Sequence, residues 1–129
     1  MSNVPAELRY TKDHEYVATT ADASVVKIGI TDYAQGELGD VVFVNLPKPG
    51  QRLAAHAAFG TIEAVKAVSE LFTPLAGEVV SVNAALDADP AVVNREPYGT
   101  GWMITLRVAD PAELKGLLSA AEYTKHIGG

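Results

Sequence analysis

The sequence predicts a mainly β protein, in which short strands form a barrel or a sandwich and short helices lie on its periphery. Its 129 residues are enough for one domain with a hydrophobic core, and hydrophobic residues make up 48% of the chain. Short apolar runs are separated by turns that contain proline and glycine, which is typical of such folds. The predicted strands cover residues 8–11, 16–19, 24–30, 40–46, 60–64, 67–72, 77–82 and 102–108.

Capping signals predict the helices. Thr31 is a good N-cap for a helix of about two turns over residues 32–38, and Gly39 suits the C′ position that ends it. Aspartate followed by proline also starts helices, because aspartate caps the first turn and proline has a helical φ. Two such pairs predict helices over residues 91–94 after Asp89 and over 112–126 after Asp110, the second with a break near 116–119 where Ser119 could cap a second piece.

The composition excludes several classes of function. Ten Lys and Arg against 16 Asp and Glu give a net charge of −6, which disfavours binding to nucleic acid. Cysteine is absent, so the chain has no disulfide, zinc–thiolate site or cysteine nucleophile, and any thiol chemistry needs a cofactor. Residues 1–10 lack the features of a signal or transit peptide, and no apolar run approaches a membrane span. We therefore expect a cytoplasmic, bacterial protein.

A predicted hairpin lies at the centre of the chain. Strand-like residues 60–64 and 67–72 flank Val65 and Lys66, which leaves a two-residue loop without the usual Asn-Gly or Asp-Gly. Val65 is β-branched and resists positive φ, so a type I turn is favoured over type I′. Lys66 at this tip would be accessible to another protein's active site. For a lone lysine, an ordinary solvated side chain is the more frequent alternative.

The residues around this lysine resemble a known attachment site. The segment Glu63-Ala64-Val65-Lys66-Ala67, followed by Thr73-Pro74-Leu75-Ala76-Gly77-Glu78-Val79, is similar to the lipoyl-attachment hairpin of the glycine cleavage system H-protein family. The resemblance implies that Lys66 carries lipoate in amide linkage. Biotin carriers have methionine where Val65 and Ala67 stand, and lipoyl domains of the acyltransferases usually have aspartate at position 65. The match therefore favours the H-protein family.

The resemblance covers nearly the whole chain. Further matching residues are Tyr10, His14-Glu15-Tyr16, Gly29-Ile30-Thr31, Ala34-Gln35, Leu38-Gly39-Asp40, Pro47, Gly50, Asn94, Pro97-Tyr98-Gly99, Gly101-Trp102 and Tyr123. It implies one lipoyl-carrier domain over residues 1–129, with the hybrid barrel-sandwich fold of lipoyl and biotinyl carriers and a helical C-terminal tail.

The resemblance also implies a cavity beside the hairpin that holds the ammonium of an aminomethyl group. The positions that match the family's cavity are Asp13, Glu15 and Glu70. Charge-assisted hydrogen bonds and exclusion of water suit such a labile cation. The alternative is that all three are solvated surface carboxylates. Glu63 either marks the hairpin for a lipoylating enzyme or is a carboxylate on the strand face.

The sequence has no catalytic constellation, so we expect a carrier without catalytic residues. The histidines (His14, His56 and His126) lack metal-ligand spacing and are interpreted as core or surface residues. Serine has no nucleophile-elbow context, and there is no glycine-rich phosphate loop.

The resemblance implies a lipoyl shuttle of the glycine cleavage system. Its partners would be glycine decarboxylase with pyridoxal phosphate, aminomethyltransferase with tetrahydrofolate, dihydrolipoamide dehydrogenase and a lipoylating enzyme. We expect a monomer that binds neither nucleic acid nor a membrane. Two alternatives stay open: an H-like protein that passes lipoyl groups to other enzymes, and an interaction module that is not lipoylated.

Overall fold

Two antiparallel sheets form the frame of the protein, and the computed structural model describes residues 4–128 apart from the side chain of Pro111. The strands are β1 (Arg9–Tyr10), β2 (Glu15–Thr19), β3 (Val25–Ile30), β4 (Val41–Asn45), β5 (Arg52–Leu53), β6 (Ala58–Ala64), β7 (Val68–Phe72), β8 (Gly77–Val82) and β9 (Ile104–Val108). One sheet has the order β1-β2-β3-β9-β8-β5, and the other has the order β4-β6-β7. The predicted mainly β fold, a hybrid of barrel and sandwich, is confirmed.

The helices are short and lie between strands or in the tail. They are α1 (Asp32–Leu38), α2 (Ala85–Ala88), α3 (Val92–Arg95) and α4 (Ala120–His126), with a 3-10 helix at Pro111–Gly116. Within residues 4–128, no helix is long and apolar enough to cross a membrane.

The two sheets share one hydrophobic core because their strands alternate between inward and outward side chains. Ile28 and Leu106 from the larger sheet and Ile62 from the smaller one are among its fully buried members. Burying each such side chain is worth about 1.5–3 kcal/mol. The core fixes the register of both sheets, because a slip by one residue would turn the apolar face outwards.

A second cluster fastens the C-terminal tail. The rings of Tyr10 and Tyr123 stack with centroids 4.8 Å apart, and both rings are fully buried. Ser119 caps α4 in a capping box with Glu122, as the sequence indicated. The predicted break before Ser119 is confirmed, because Leu118 pairs with Tyr10 through two backbone hydrogen bonds. The first piece of the tail is a 3-10 helix rather than the expected α-helix.

Three further features differ from the sequence-based expectation. Asp89 ends α2 instead of capping α3, and α3 begins at Val92. Asp89 donates its amide to the carbonyl of Ala85, and its carboxylate pairs with Arg95 instead of capping α3. Helix α2 was not predicted, and its first amide, that of Ala85, donates to the Asn83 side chain. The two-residue strand β5 was also not predicted, because so short a segment has no hydrophobic period to detect.

The predicted ends of α1 are confirmed, and its C-terminal end supports the central hairpin. The Thr31 hydroxyl accepts the amide of Ala34, and Gly39 ends the helix by donating to the carbonyl of Gln35. The Asn94 side chain then joins this end to β4. Its oxygen accepts the amide of Val41 at 2.9 Å, and its nitrogen donates to the Gly39 carbonyl at 2.8 Å and to the Gln35 side chain at 3.0 Å.

Asn94→Ala should lower the free energy of unfolding by about 1–3 kcal/mol, because it leaves the Val41 amide and the Gly39 carbonyl without their partner. Chemical denaturation measures this change. Asn45→Ala, at an exposed position on β4, is the matched control and should stay within about 0.5 kcal/mol of the parent. Equal stability of the two variants would contradict the role given to Asn94.

Candidate functional site

Lys66 lies exposed at the tip of the hairpin formed by β6 and β7. The strands pair up to Glu63 and Val68, and the amide of Ala64 donates to the carbonyl of Ala67 at 2.8 Å. Within the described residues, positive φ outside glycine occurs only at His14 and His56. The loop is therefore not type I′, which needs positive φ at both central residues. This part of the turn prediction is confirmed.

The hairpin tip is fixed to the end of α1 and presents apolar surface. The amide of Val65 donates to the carbonyl of Asp40 at 3.0 Å. Val65 and Val68, on either side of Lys66, are 73% and 66% exposed. Glu63 is half-buried and lies between the exposed Phe43 and Val68 in the register of the three strands. The lysine therefore stands on a rigid base with apolar side chains around it.

The side chain of Lys66 lies back over Gly39. Gly39 has φ +82° and ψ −158°, a conformation that essentially only glycine adopts. A Cβ atom built on Gly39 would be 2.8 Å from Cε of Lys66 and 3.7 Å from its Nζ. The sequence indicated that Gly39 ends the helix, but its contact with Lys66 is long-range and carries no local signal.

A cavity of about 170 Å³ lies beside the hairpin, between α1 and β7. The cavity brings together all three acidic residues that the sequence indicated, Asp13, Glu15 and Glu70. It is lined by Asp13, His14, Glu15, Ile30, Ala34, Glu37, Leu38, Ile62, Ser69, Glu70 and Leu71. Ile30, Ile62 and Leu71 are buried core residues, so the cavity has an apolar floor with acids around it.

The three acids differ in their environment. Asp13 and Glu70 are exposed at the rim, whereas Glu15 is only 4% exposed. The Thr11 hydroxyl donates to the Glu15 carboxyl at 2.8 Å. Burial raises the pKa of Glu15 to about 7, with a smaller contribution from nearby Asp13, against hydrogen bonds from Thr11 and the backbone of Phe72. Glu15 is thus a buried carboxyl that exchanges its proton near neutral pH.

His14 is a further cavity residue whose place the sequence did not indicate. Its Nδ1 lies 2.9 Å from the Tyr123 hydroxyl, which also contacts the Thr31 hydroxyl at 2.7 Å. Burial lowers the pKa of His14, and His126, with ring centroids 5.8 Å apart, lowers it further. The rings of His14 and His126 therefore lie together, because the C-terminal tail folds back onto the start of the chain, a contact that local sequence patterns cannot reveal. No group of three or more potential metal ligands is present within residues 4–128.

An exposed lysine on a rigid hairpin, beside a small cavity with an apolar floor and acidic walls, defines a carrier domain. Such a domain presents a covalently attached group to other proteins. The sequence model described as "Glycine cleavage H-protein" matches residues 8–128. The chain belongs to this family, the lipoyl-carrying shuttles of the glycine cleavage system.

Individual relatives agree with this assignment. The glycine cleavage system H protein of Chlorobium luteolum is 54% identical over 127 residues, which cover 98% of this chain and 99% of the relative. That of Opitutus terrae is 54% identical over 128 residues and covers 99% and 100%. The crystal structure of a glycine cleavage system H protein from Mycobacterium marinum is similar with a TM-score of 0.85 and 36% identity, covering 98% of this chain and 100% of that one.

The raised pKa of Glu15 predicts that this residue destabilises the fold as pH rises. Between about pH 4.5 and about pH 7 the folded state keeps the Glu15 proton and the unfolded state releases it, so stability falls by up to about 3 kcal/mol. The lowered pKa of His14 acts in the opposite direction below its ordinary value of 6.5. Glu15→Gln should therefore gain stability relative to the parent over this range. Denaturation at several pH values measures the difference between the two proteins.

Glu78→Gln, at a half-buried glutamate that does not line this cavity, is the control for the general effect of removing one carboxyl. A parent-minus-Glu15→Gln difference that does not change with pH would contradict the raised pKa of Glu15.

Proposed function

We propose that Lys66 bears lipoate in amide linkage and that residues 1–129 form a single lipoyl-carrier domain without catalytic residues of its own. The observation that carries this proposal is the position of Lys66, exposed on a fixed hairpin tip with its side chain directed over Gly39. The adjoining cavity contains Asp13, Glu15 and Glu70. This combination suits an arm that is acylated by one enzyme and then visits several others.

The residues present fit a lipoyl group and its cargo. The apolar floor of Ile30, Ile62 and Leu71 suits a hydrocarbon chain, and the acids suit a cationic amine. When bound, lipoate would supply a dithiolane whose S–S bond opens, so that one sulfur can hold an aminomethyl group while the other becomes a thiol. The protein contributes proximity and protection from water, because no residue of the chain needs to make or break a bond.

The acids would hold the ammonium of the cargo in two ways. Glu70 and Asp13 at the exposed rim attract it through solvent-screened charge, which is worth little per pair. Buried Glu15 offers a hydrogen bond in a drier environment, where the interaction with a cation is stronger. A cation that enters the cavity favours the ionised carboxylate, so we expect loading to lower the pKa of Glu15 and to release its proton.

The proposed partners follow from the shuttle role. They are glycine decarboxylase, aminomethyltransferase, dihydrolipoamide dehydrogenase and a lipoylating enzyme, and we expect the carrier to meet them as a cytoplasmic monomer. A lipoylating enzyme has to reach Nζ of Lys66 itself, so it has to cover the hairpin tip. The exposed Val65 and Val68 give that enzyme apolar surface to bury.

Lys66→Arg should keep the fold, since the side chain is exposed, and should take up no lipoate. Intact mass after incubation with a lipoate ligase should show one lipoyl adduct on the parent and none on the variant. Lys48→Arg, at an exposed lysine in another turn, is the control and should be modified like the parent. Peptide mapping that places lipoate on another lysine would overturn the assignment.

Glycine decarboxylation with the partner enzymes distinguishes a shuttle from a protein that only passes lipoyl groups on to other enzymes.

Substitutions of the acids should shorten the lifetime of the loaded carrier. The carrier loaded with the aminomethyl group is separated from aminomethyltransferase, and its release of ammonia and formaldehyde is measured over time. Glu70→Gln should speed release by up to about fivefold, an effect that salt weakens because the rim is exposed. Glu15→Gln should speed it by about tenfold or more, with little dependence on salt, because Glu15 is buried. Glu78→Gln is the control, and equal rates in all four proteins would make these acids ordinary surface or core carboxyls.

A further inference from the structure

We propose that Gly39 is a positioning residue: its bare Cα forms a saddle over which the stem of Lys66, and the arm attached to it, passes from the hairpin tip into the cavity. The inference rests on the proposed function, because it concerns the route of the lipoyl arm. It adds a residue that touches neither the cargo nor the acids. The term saddle is used below for the Cα of Gly39, on which the Lys66 stem lies.

The contact between the two residues leaves no room for a side chain. A Cβ atom on Gly39 would lie 2.8 Å from Cε of Lys66, closer than real Cβ contacts come. Because the neighbour is a flexible side chain, the lysine stem and not the backbone would move away. The consequence of any larger residue at this position is therefore a displaced arm, in addition to strain at φ +82°.

Hydrogen bonds to backbone groups hold the saddle and the hairpin tip at a fixed separation. Gly39 donates to the Gln35 carbonyl at 3.0 Å and accepts from the Asn94 side chain at 2.8 Å. The next residue, Asp40, accepts the amide of Val65 at 3.0 Å. Lys66 directly follows Val65 and Gly39 directly precedes Asp40, so each is one residue away from this hydrogen bond. The short span explains why the stem meets Gly39 and not solvent alone.

The saddle leads to the cavity. Leu38, which precedes Gly39, lines the cavity together with Glu37 and Ala34, all on α1, and Ser69 and Glu70 line it from β7. An arm that lies over Gly39 is therefore already aligned with the groove between α1 and β7 that contains the acids. The contact with Gly39 already restricts the first bonds of the arm. Docking in the cavity then removes less rotational freedom, and this favours the docked state.

Alanine variants of two other glycines are controls for the general effects of replacing glycine. Gly50 also has positive φ, +91°, but a Cβ there would have no atom within 4 Å, so Gly50→Ala adds backbone strain without crowding. Gly36 lies in α1 with the same open surroundings and without positive φ, so Gly36→Ala adds neither. Gly39→Ala adds both backbone strain and crowding against Lys66.

The first test needs no substitution. In unlipoylated protein labelled with 13C at lysine, the Hε protons of Lys66 should show nuclear Overhauser effects to the Hα protons of Gly39. After lipoylation and loading, the first methylenes of the arm should show effects to Gly39 or Leu38. Lysine resonances without any contact to Gly39 would overturn the saddle even if Lys66 is the lipoylated residue. A chain that takes no lipoate would overturn the proposed function, and the contact in the bare protein would still decide the inference.

The second test uses the three alanine variants, with fold checked by amide spectra. Gly39→Ala should shift the Lys66 Cε and Hε resonances and should speed release of ammonia from loaded protein severalfold. Gly36→Ala and Gly50→Ala should leave both measurements at the parent's values. The inference fails if Gly39→Ala releases ammonia at the parent's rate or if Gly50→Ala has an equal effect. If Gly39→Ala does not fold, the contacts measured in the parent protein decide the question.

Discussion

The hydrogen bonds of the Asn94 side chain are the constraint on which the site depends. One amide group joins the last turn of α1, through Gly39 and Gln35, to the first residue of β4, Val41. The hairpin tip is fixed to the residue between them, because Val65 donates to the carbonyl of Asp40. The position of Lys66 relative to the cavity therefore follows from a few polar contacts rather than from the hydrophobic core, whose interactions lack direction.

The acids of the cavity differ in burial, and this decides where it can carry charge. The cavity places one carboxyl, Glu15, in a buried position and leaves Asp13 and Glu70 at the rim. Burial disfavours the carboxylate form of Glu15 and raises its pKa to about 7, so the carboxyl keeps its proton at lower pH. Under the proposed function, the rim acids would attract a cation at longer range, and its entry would favour the ionised form of Glu15.

Local sequence signals predicted those parts of the fold that depend on neighbouring residues. Thr31 and Ser119 start their helices as expected, and the strands around Lys66 form the expected hairpin. The Asp89-Pro90 pattern was misleading, because Asp89 ends α2 and its carboxylate pairs with Arg95 instead of capping α3. The three acids were found through the family resemblance and not through spacing. The contacts of His14 with Tyr123 and of Gly39 with Lys66 join distant segments, and a single sequence contains no signal for them.

The helix α1 shows why both ends of the site have to be held. It has seven residues, none of them fully buried, and only Ala34 and Leu38 pack against the core, so its length and packing hold it weakly. Its N-terminal end is fixed where Thr31 contacts the hydroxyl of Tyr123, a residue of the C-terminal helix. Its C-terminal end is fixed by Asn94. Since α1 forms one wall of the cavity and is followed by the glycine beneath Lys66, loosening either contact would change both the cavity and the path of the Lys66 side chain.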